Sequence, residues 1–402
     1  MKYVIVQGDG MGDLLHREGN TPSALETAQT PNMDRIAGCG QFGLIHTVPT
    51  DLPPGSDVGH LSLFGYDPLQ HYTGRSPLEA IAMGVELAPE DIAFRLNLVC
   101  LSGEPGAEVM ADYSAGHIDT DSARELVETL GRELGDETFQ FYPGISYRHL
   151  LVWRGGLNQM ETTPPHDISD KTIAQHLPKG EGSHELVRLM EGSRPLLAQH
   201  PVNKARIAAG KDPVSMAWLW GQGRPLQLPS MQQVYHLRGA VISAVDLVRG
   251  VAKGAGCDII HVPGATGYLD TDYTAKGEYA FRTLADHDLV FIHVEAPDEA
   301  GHMGNFEEKV KAIEAIDEKI VGPLLKRLPE LGAFKIMIVS DHATPVSLKT
   351  HCHDPVPFAI ATGEQLAVGG SSRKYGEAEA GKTGTVIKPG FKLMEQLIAY
   401  PE

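Results

Sequence analysis

The chain has 402 residues, of which 42% are hydrophobic, and a formal net charge of −18. That length allows two domains with sizeable cores, and the charge argues against a nucleic-acid or anionic-membrane partner. The opening "MKYVIVQGDGMGD" has too few apolar residues for a signal-peptide core, and no apolar run approaches the roughly 18 residues of a membrane span. Together with four cysteines lacking any C-x-x-C pair, this leads us to expect a cytoplasmic protein.

In chain order, "YVIVQGDG" (3–10) is apolar, β-branched and closed by an acidic glycine turn, which predicts a buried strand. "PTDLPPGSDVGHLSLFGYDP" (49–68) places a Pro/Gly loop before an apolar helix, with Ser56 at the helix start. Taken alone, that serine is either an N-cap or a nucleophile held where the helix dipole and free N–H groups favour an anion. From 95 to 212 the strand signal of the chain ends lapses. There "DYSAGHIDTDSARELVETLGRELG" reads as a helix with a polar entry, and "FQFYPGISYRHLLVWRGG" alternates like antiparallel strand. We expect residues 95–212 to form an inserted α+β domain, leaving 1–94 and 213–402 as one discontinuous α/β domain. The active cleft is expected between them.

"GAVISAVDLVRGVAKGAG" (239–256) reads as a helix closed by glycines. Apolar strand runs follow at "CDIIHVPGATG" (257–267), "DLVFIHVEAPDEAGH" (288–302), "FKIMIVSDHATP" (334–345) and "PVPFAIAT" (355–362). Between the second and third of these, Val310, Ile313, Ile316, Ile320 and Leu324 recur at helical spacing. Alternating strands and helices predict a sandwich built on a largely parallel sheet.

Ligands of such sheets sit beyond the carboxyl ends of the strands. Asp9, the pair Asp298 and His302, and the pair Asp341 and His342 all fall there, and "THCHDPVPF" adds His351, His353 and Asp354. Each pattern alone is common; their recurrence at successive strand ends is what points to a site. Carboxylate and imidazole together suit zinc or manganese, and the set is too large for one tetrahedral site. Two metals can clamp a transferring phosphoryl group, and a serine beside them needs no histidine base. "GDGMGD" lacks the G-x-G-x-x-G spacing of a dinucleotide loop.

In order along the chain, "DGMGD", "PPGSDVGHLSLFGYDP", "YTGRSPLEA", "VPGATGYLDTDY", "HVEAPDEAGH" and "SDHATP…THCHDPVPF" resemble the cofactor-independent phosphoglycerate mutases of the archaeal type, in the alkaline phosphatase superfamily. The resemblance implies an alkaline-phosphatase-like α/β/α sandwich with an inserted α+β domain. It implies two divalent metals (manganese, zinc or magnesium), one held by Asp9, Ser56, Asp341 and His342, the other by Asp298, His302 and His351. Ser56 would carry the phosphoryl group and Lys276 would line the phosphate pocket. His117, Arg148 and Arg206 would bind the glycerate part of a small anionic substrate. The implied reaction interconverts 3-phosphoglycerate and 2-phosphoglycerate without 2,3-bisphosphoglycerate. A homoserine kinase of the same fold and a metal-dependent phosphomonoesterase are the alternatives.

Overall fold

The computed structural model describes residues 1–15 and 21–401. The chain divides into two compact units, Met1–Tyr72 with Gln227–Glu402, and Thr73–Leu226.

Among the described residues, the first unit is built on an eight-stranded sheet. Its strands lie in the order Asp258–Ile259, Gly239–Ile242, Leu289–Val294, Lys2–Gly8, Phe334–Val339, Val356–Thr362, Gln41–Ile45 and Val386–Ile387. Neighbouring strands are parallel except at Val356–Thr362, which runs antiparallel to both neighbours. The run 355–362, expected in a largely parallel sheet, is thus the reversed strand. In the central strand Val4, Ile5 and Val6 are fully buried, as a strand covered on both faces requires. One face carries a core that joins Val4, Val6, Ile292 and Ile338 to helices containing Leu25, Met33, Ile313 and Ile320. On the other face Phe64 stacks on Phe291 at 4.8 Å. The result is an α/β/α sandwich.

Two expectations change here. Residues 239–256 split into the strand Gly239–Ile242 and the helix Asp246–Gly254. A four-residue apolar run has no period that separates strand from helix, and the sheet claims it. Only Asp258–Ile259 of 257–267 is strand. The amphipathic helix after residue 305 also carries a π turn at Asp317–Val321, just before Pro323, whose missing N–H and ring cannot be fitted into regular helix.

The second unit is α+β. Ile92–Ser102 pairs antiparallel with Val109–Asp112, Arg148–Trp153 and Met216–Gly223, and Phe139–Ile145 pairs with Arg148–Trp153. Helices Thr120–Leu134 and Ser183–Gln199 close a separate core over this sheet. The expected limits of 95 and 212 therefore lie too far inside. The strand beginning at Ile92 and the strand ending at Gly223 are partners in one sheet, and Ala80 of the helix Ser76–Ala82 packs on Ala93 and Leu150.

Candidate active site

Parallel strands deliver their following loops to one edge of the sheet. Asp9 directly follows Lys2–Gly8, and its N–H is fixed to the Val294 carbonyl at 2.9 Å. Asp341 and His342 follow Phe334–Val339. Asp298 and His302 lie on the helix Ala296–His302, four residues apart and so on one face. Ser56 opens the helix Ser56–Leu63, but Gly55 is its N-cap and no side-chain capping bond forms. The capping role is thus not the one Ser56 plays. A Cβ on Gly59 would meet the Asp341 carbonyl at 2.7 Å, so only glycine lets this helix approach the Asp341 loop so closely. With that approach, Ser56 Oγ lies 3.0 Å from His342 Nε2.

Asp9, Asp341 and His342 each offer a ligand atom within 4.8 Å of the others, and so do Asp298, His342 and His351. In the first group His342 Nε2 is 3.1 Å from Asp341 Oδ2 and 3.5 Å from Asp9 Oδ1. Beside the second, His302 Nε2 is 3.1 Å from Asp298 Oδ2 and 2.9 Å from His351 Nε2. His353 is exposed and turns to the Leu52 carbonyl at 2.9 Å. Asp354 accepts the Leu15 N–H.

Asp9 Oδ1 and Asp341 Oδ2 are buried and have no hydrogen-bond partner. Burial, the Asp341 charge and further carboxylates push Asp9 well above the usual carboxylate range. Burial, helped by the Asp298 charge, raises Asp341. Crowded, unpartnered carboxylate oxygens beside imidazole nitrogens form a donor set that suits a divalent cation. His342 is held neutral, at about 3, by burial and the neighbouring His351. Burial alone would raise Asp298, yet hydrogen bonds from His302 and His351 outweigh it and hold Asp298 well below the usual range.

The Asp298 hydrogen bond lifts His302 to about 9. In the metal-free protein this ion pair stabilises the fold fully below pH 6.5 and is lost as pH rises through about 9. A cation that took His302 as a ligand would have to displace that proton. Affinity for Mn²⁺ should therefore rise with pH between about 6.5 and 9, with proton release, in calorimetric titrations run in buffers of different ionisation enthalpy.

In the second unit, Arg148 is exposed at the start of its strand, with its guanidinium 5.6 Å from the Tyr147 ring. His117 meets the same ring edge-on at 5.6 Å. Arg206 is different. It is buried, with Nε and Nη2 donating to the Asp212 carbonyl and Nη2 also to the Ala115 carbonyl, so it braces the loop before His117 rather than projecting outward. The sequence reading missed Arg95. It is buried, stacks over Trp220 at 4.4 Å, and its Nε, 3.2 Å from Glu79 Oε2, is not aligned to bond it. Glu79 also faces Arg75, and the charge of Arg148 is felt at Arg95 as well.

A family model described as 2,3-bisphosphoglycerate-independent phosphoglycerate mutase matches residues 37–203. A Geobacter sulfurreducens protein described as "Probable 2,3-bisphosphoglycerate-independent phosphoglycerate mutase" is 50% identical over 398 residues, covering 99% of this chain and 100% of that one. The chain belongs to this mutase family. A solved structure from Pyrococcus horikoshii, 29% identical, covers 100% of this chain and 98% of its own with a TM-score of 0.81. A cofactor-independent phosphoglycerate mutase from Thermoplasma acidophilum, 24% identical, shares the fold at a TM-score of 0.67 over 99% of both chains. The expected α/β/α sandwich with an inserted α+β unit is the fold of this chain.

Around the candidate ligand groups of this mutase family member lies a shell of buried polar residues. His293 Nε2 is 2.7 Å from Asp9 Oδ2, and its Nδ1 is 2.9 Å from Ser243 Oγ. His60 bridges the Ser56 carbonyl, at 2.5 Å, and Gln7 Oε1, at 2.8 Å. Lys276 is fully buried and donates to the His293 carbonyl at 2.8 Å; burial lowers it to about 8, partly opposed by Glu295. Gln7 and His293 are register partners on adjacent central strands. Their signal was available in the sequence, as polar residues within strands otherwise apolar on both faces, but nothing local says that they meet.

Proposed function

We propose that this family member interconverts 3-phosphoglycerate and 2-phosphoglycerate through a phosphoserine at Ser56, in the cytoplasm and without 2,3-bisphosphoglycerate. The observation that carries this is the 3.0 Å contact of Ser56 Oγ with His342, a residue common to two candidate cation groups. Asp9, Ser56, Asp341 and His342 would hold one divalent cation, and Asp298, His302 and His351 a second. The mixed carboxylate and imidazole set favours manganese or zinc. When bound, the two ions would supply positive charge at the transferring phosphoryl group and lower the proton affinity of the serine hydroxyl.

Ser56 Oγ gives up its proton and forms a bond to phosphorus as the bond to one glycerate oxygen breaks, and that oxygen takes up a proton to become a hydroxyl. The other glycerate hydroxyl later takes the group back, so no phosphate is lost to water. Lys276, one hydrogen bond behind the His293–Asp9 pair, would add positive charge. Arg95, whose buried Nε makes no hydrogen bond, and the exposed Arg148 would supply positive charge suited to a carboxylate or phosphate. His117 sits beside Arg148 on Tyr147 and would take part in the same binding. Family membership favours this reaction over homoserine phosphorylation and simple phosphomonoester hydrolysis.

The test supplies purified protein with 3-phosphoglycerate alone, and separately with homoserine and ATP. The expected product is 2-phosphoglycerate, formed without nucleotide. ATP-dependent O-phosphohomoserine in its place would overturn the proposal.

A further inference from the structure

One hydroxyl touches two candidate cation groups. Thr344 Oγ1 lies 2.5 Å from Asp298 Oδ1 and 3.1 Å from His342 Nδ1. A threonine hydroxyl has one proton to donate, and an ionised carboxylate can only accept. A carboxylate that binds a cation is ionised, so the Thr344 proton goes to Asp298. The Thr344 oxygen must then accept from His342, which places a proton on His342 Nδ1. His342 Nε2 is left with its lone pair. That nitrogen faces Ser56 Oγ, Asp341 Oδ2 and Asp9 Oδ1.

Thr344 is itself held firmly. It is fully buried, and its N–H donates to the Gly12 carbonyl at 3.2 Å. Its own carbonyl accepts from Lys309 Nζ at 2.7 Å, and the same Nζ donates to the Gly12 carbonyl at 3.0 Å. Lys309, fully buried on the helix Phe306–Ile316, thus clamps the loop after Asp9 to the loop after His342. A Cβ on Gly301 would meet the Thr344 carbonyl at 2.6 Å, so the helix bearing Asp298 also packs directly on this residue.

We propose that Thr344 is a positioning residue that sets the tautomer of His342 and the aim of Asp298 together, so that the two cation sites are built as one unit. This rests on the two-cation reading given above. A ligating histidine needs an acceptor for its second N–H, and losing such an acceptor typically weakens metal binding about 10–100-fold. Here the acceptor is also the donor to a ligand of the other ion.

The test titrates metal-free protein with Mn²⁺ by calorimetry and chelator competition. Wild type should bind two ions. Thr344→Val, which keeps the shape and removes the hydroxyl, should weaken both sites by about 10–100-fold, and Thr344→Ser should restore both. Two sites of wild-type affinity in Thr344→Val, or weakening at one site alone, would overturn the joint role. Nitrogen-15 shifts of His342 in the unmutated protein loaded with diamagnetic Zn²⁺, the state for which the proton placement is argued, provide a measurement that does not depend on a variant folding. They should show the Nδ1–H form, and an Nε2–H form overturns the inference while leaving the two-cation reading standing. Wild-type protein that binds no divalent ion overturns both.

Discussion

Ser56→Ala should abolish phosphoryl transfer, by at least about a thousandfold, while the protein stays folded. The two effects separate because Ser56 does not cap its helix; Gly55 does. What the fold loses is one hydroxyl contact to His342, worth about 1 kcal/mol or less in thermal or denaturant unfolding. What the reaction loses is the only atom proposed to bond phosphorus. Wild-type protein mixed briefly with 3-phosphoglycerate and quenched in acid should carry phosphate on the peptide containing "PPGSDVGH". Acid preserves a serine phosphoester and destroys a phosphohistidine, so label at His60 would not survive the quench. A folded Ser56→Ala protein that still turns over would remove the centre of the mechanism.

Removing divalent cations should be equally severe for turnover and should also destabilise the fold. At free metal a hundredfold above Kd, each site contributes about 2.7 kcal/mol, which chelation takes away. The pH dependence gives a signature. Asp9 and Asp341 are raised by burial and by neighbouring carboxylates, so the metal-free native state binds protons more tightly than the unfolded chain. Their contribution is fully present below the ordinary carboxylate range and is lost as pH rises through their raised folded values. Metal-free protein should therefore lose thermal stability over this range as pH rises, and metal-loaded protein should lose less. Elemental analysis and melting curves with and without chelator check both parts. Full activity in protein shown to be metal-free would refute the two-cation reading.

Local chemistry along the chain was enough to mark candidate ligands. Asp9, Asp298 with His302, and Asp341 with His342 each stand where an apolar β-branched run stops, and a strand end in an α/β sheet is where ligands bind. The helix spacing of Asp298 and His302 likewise depends only on residues four apart. Tertiary structure decided everything that depends on distance in sequence. His293 meets Asp9 across 284 residues because two parallel strands share a register. Arg206 turns inward because the carbonyls of Asp212 and Ala115 surround it, which arginine content alone does not reveal. The inserted unit begins at Thr73 because Ile92–Ser102 finds its partners in later strands, and strand pairing of that kind has no local signature. Residues 239–242 became strand for the same reason. Sequence thus determines which groups can ligate or react, since that is a property of each side chain. Which groups meet, and which atom each presents, is settled only when register and packing close the distances, as at Thr344, where one proton shared between two loops sets the direction of both hydrogen bonds.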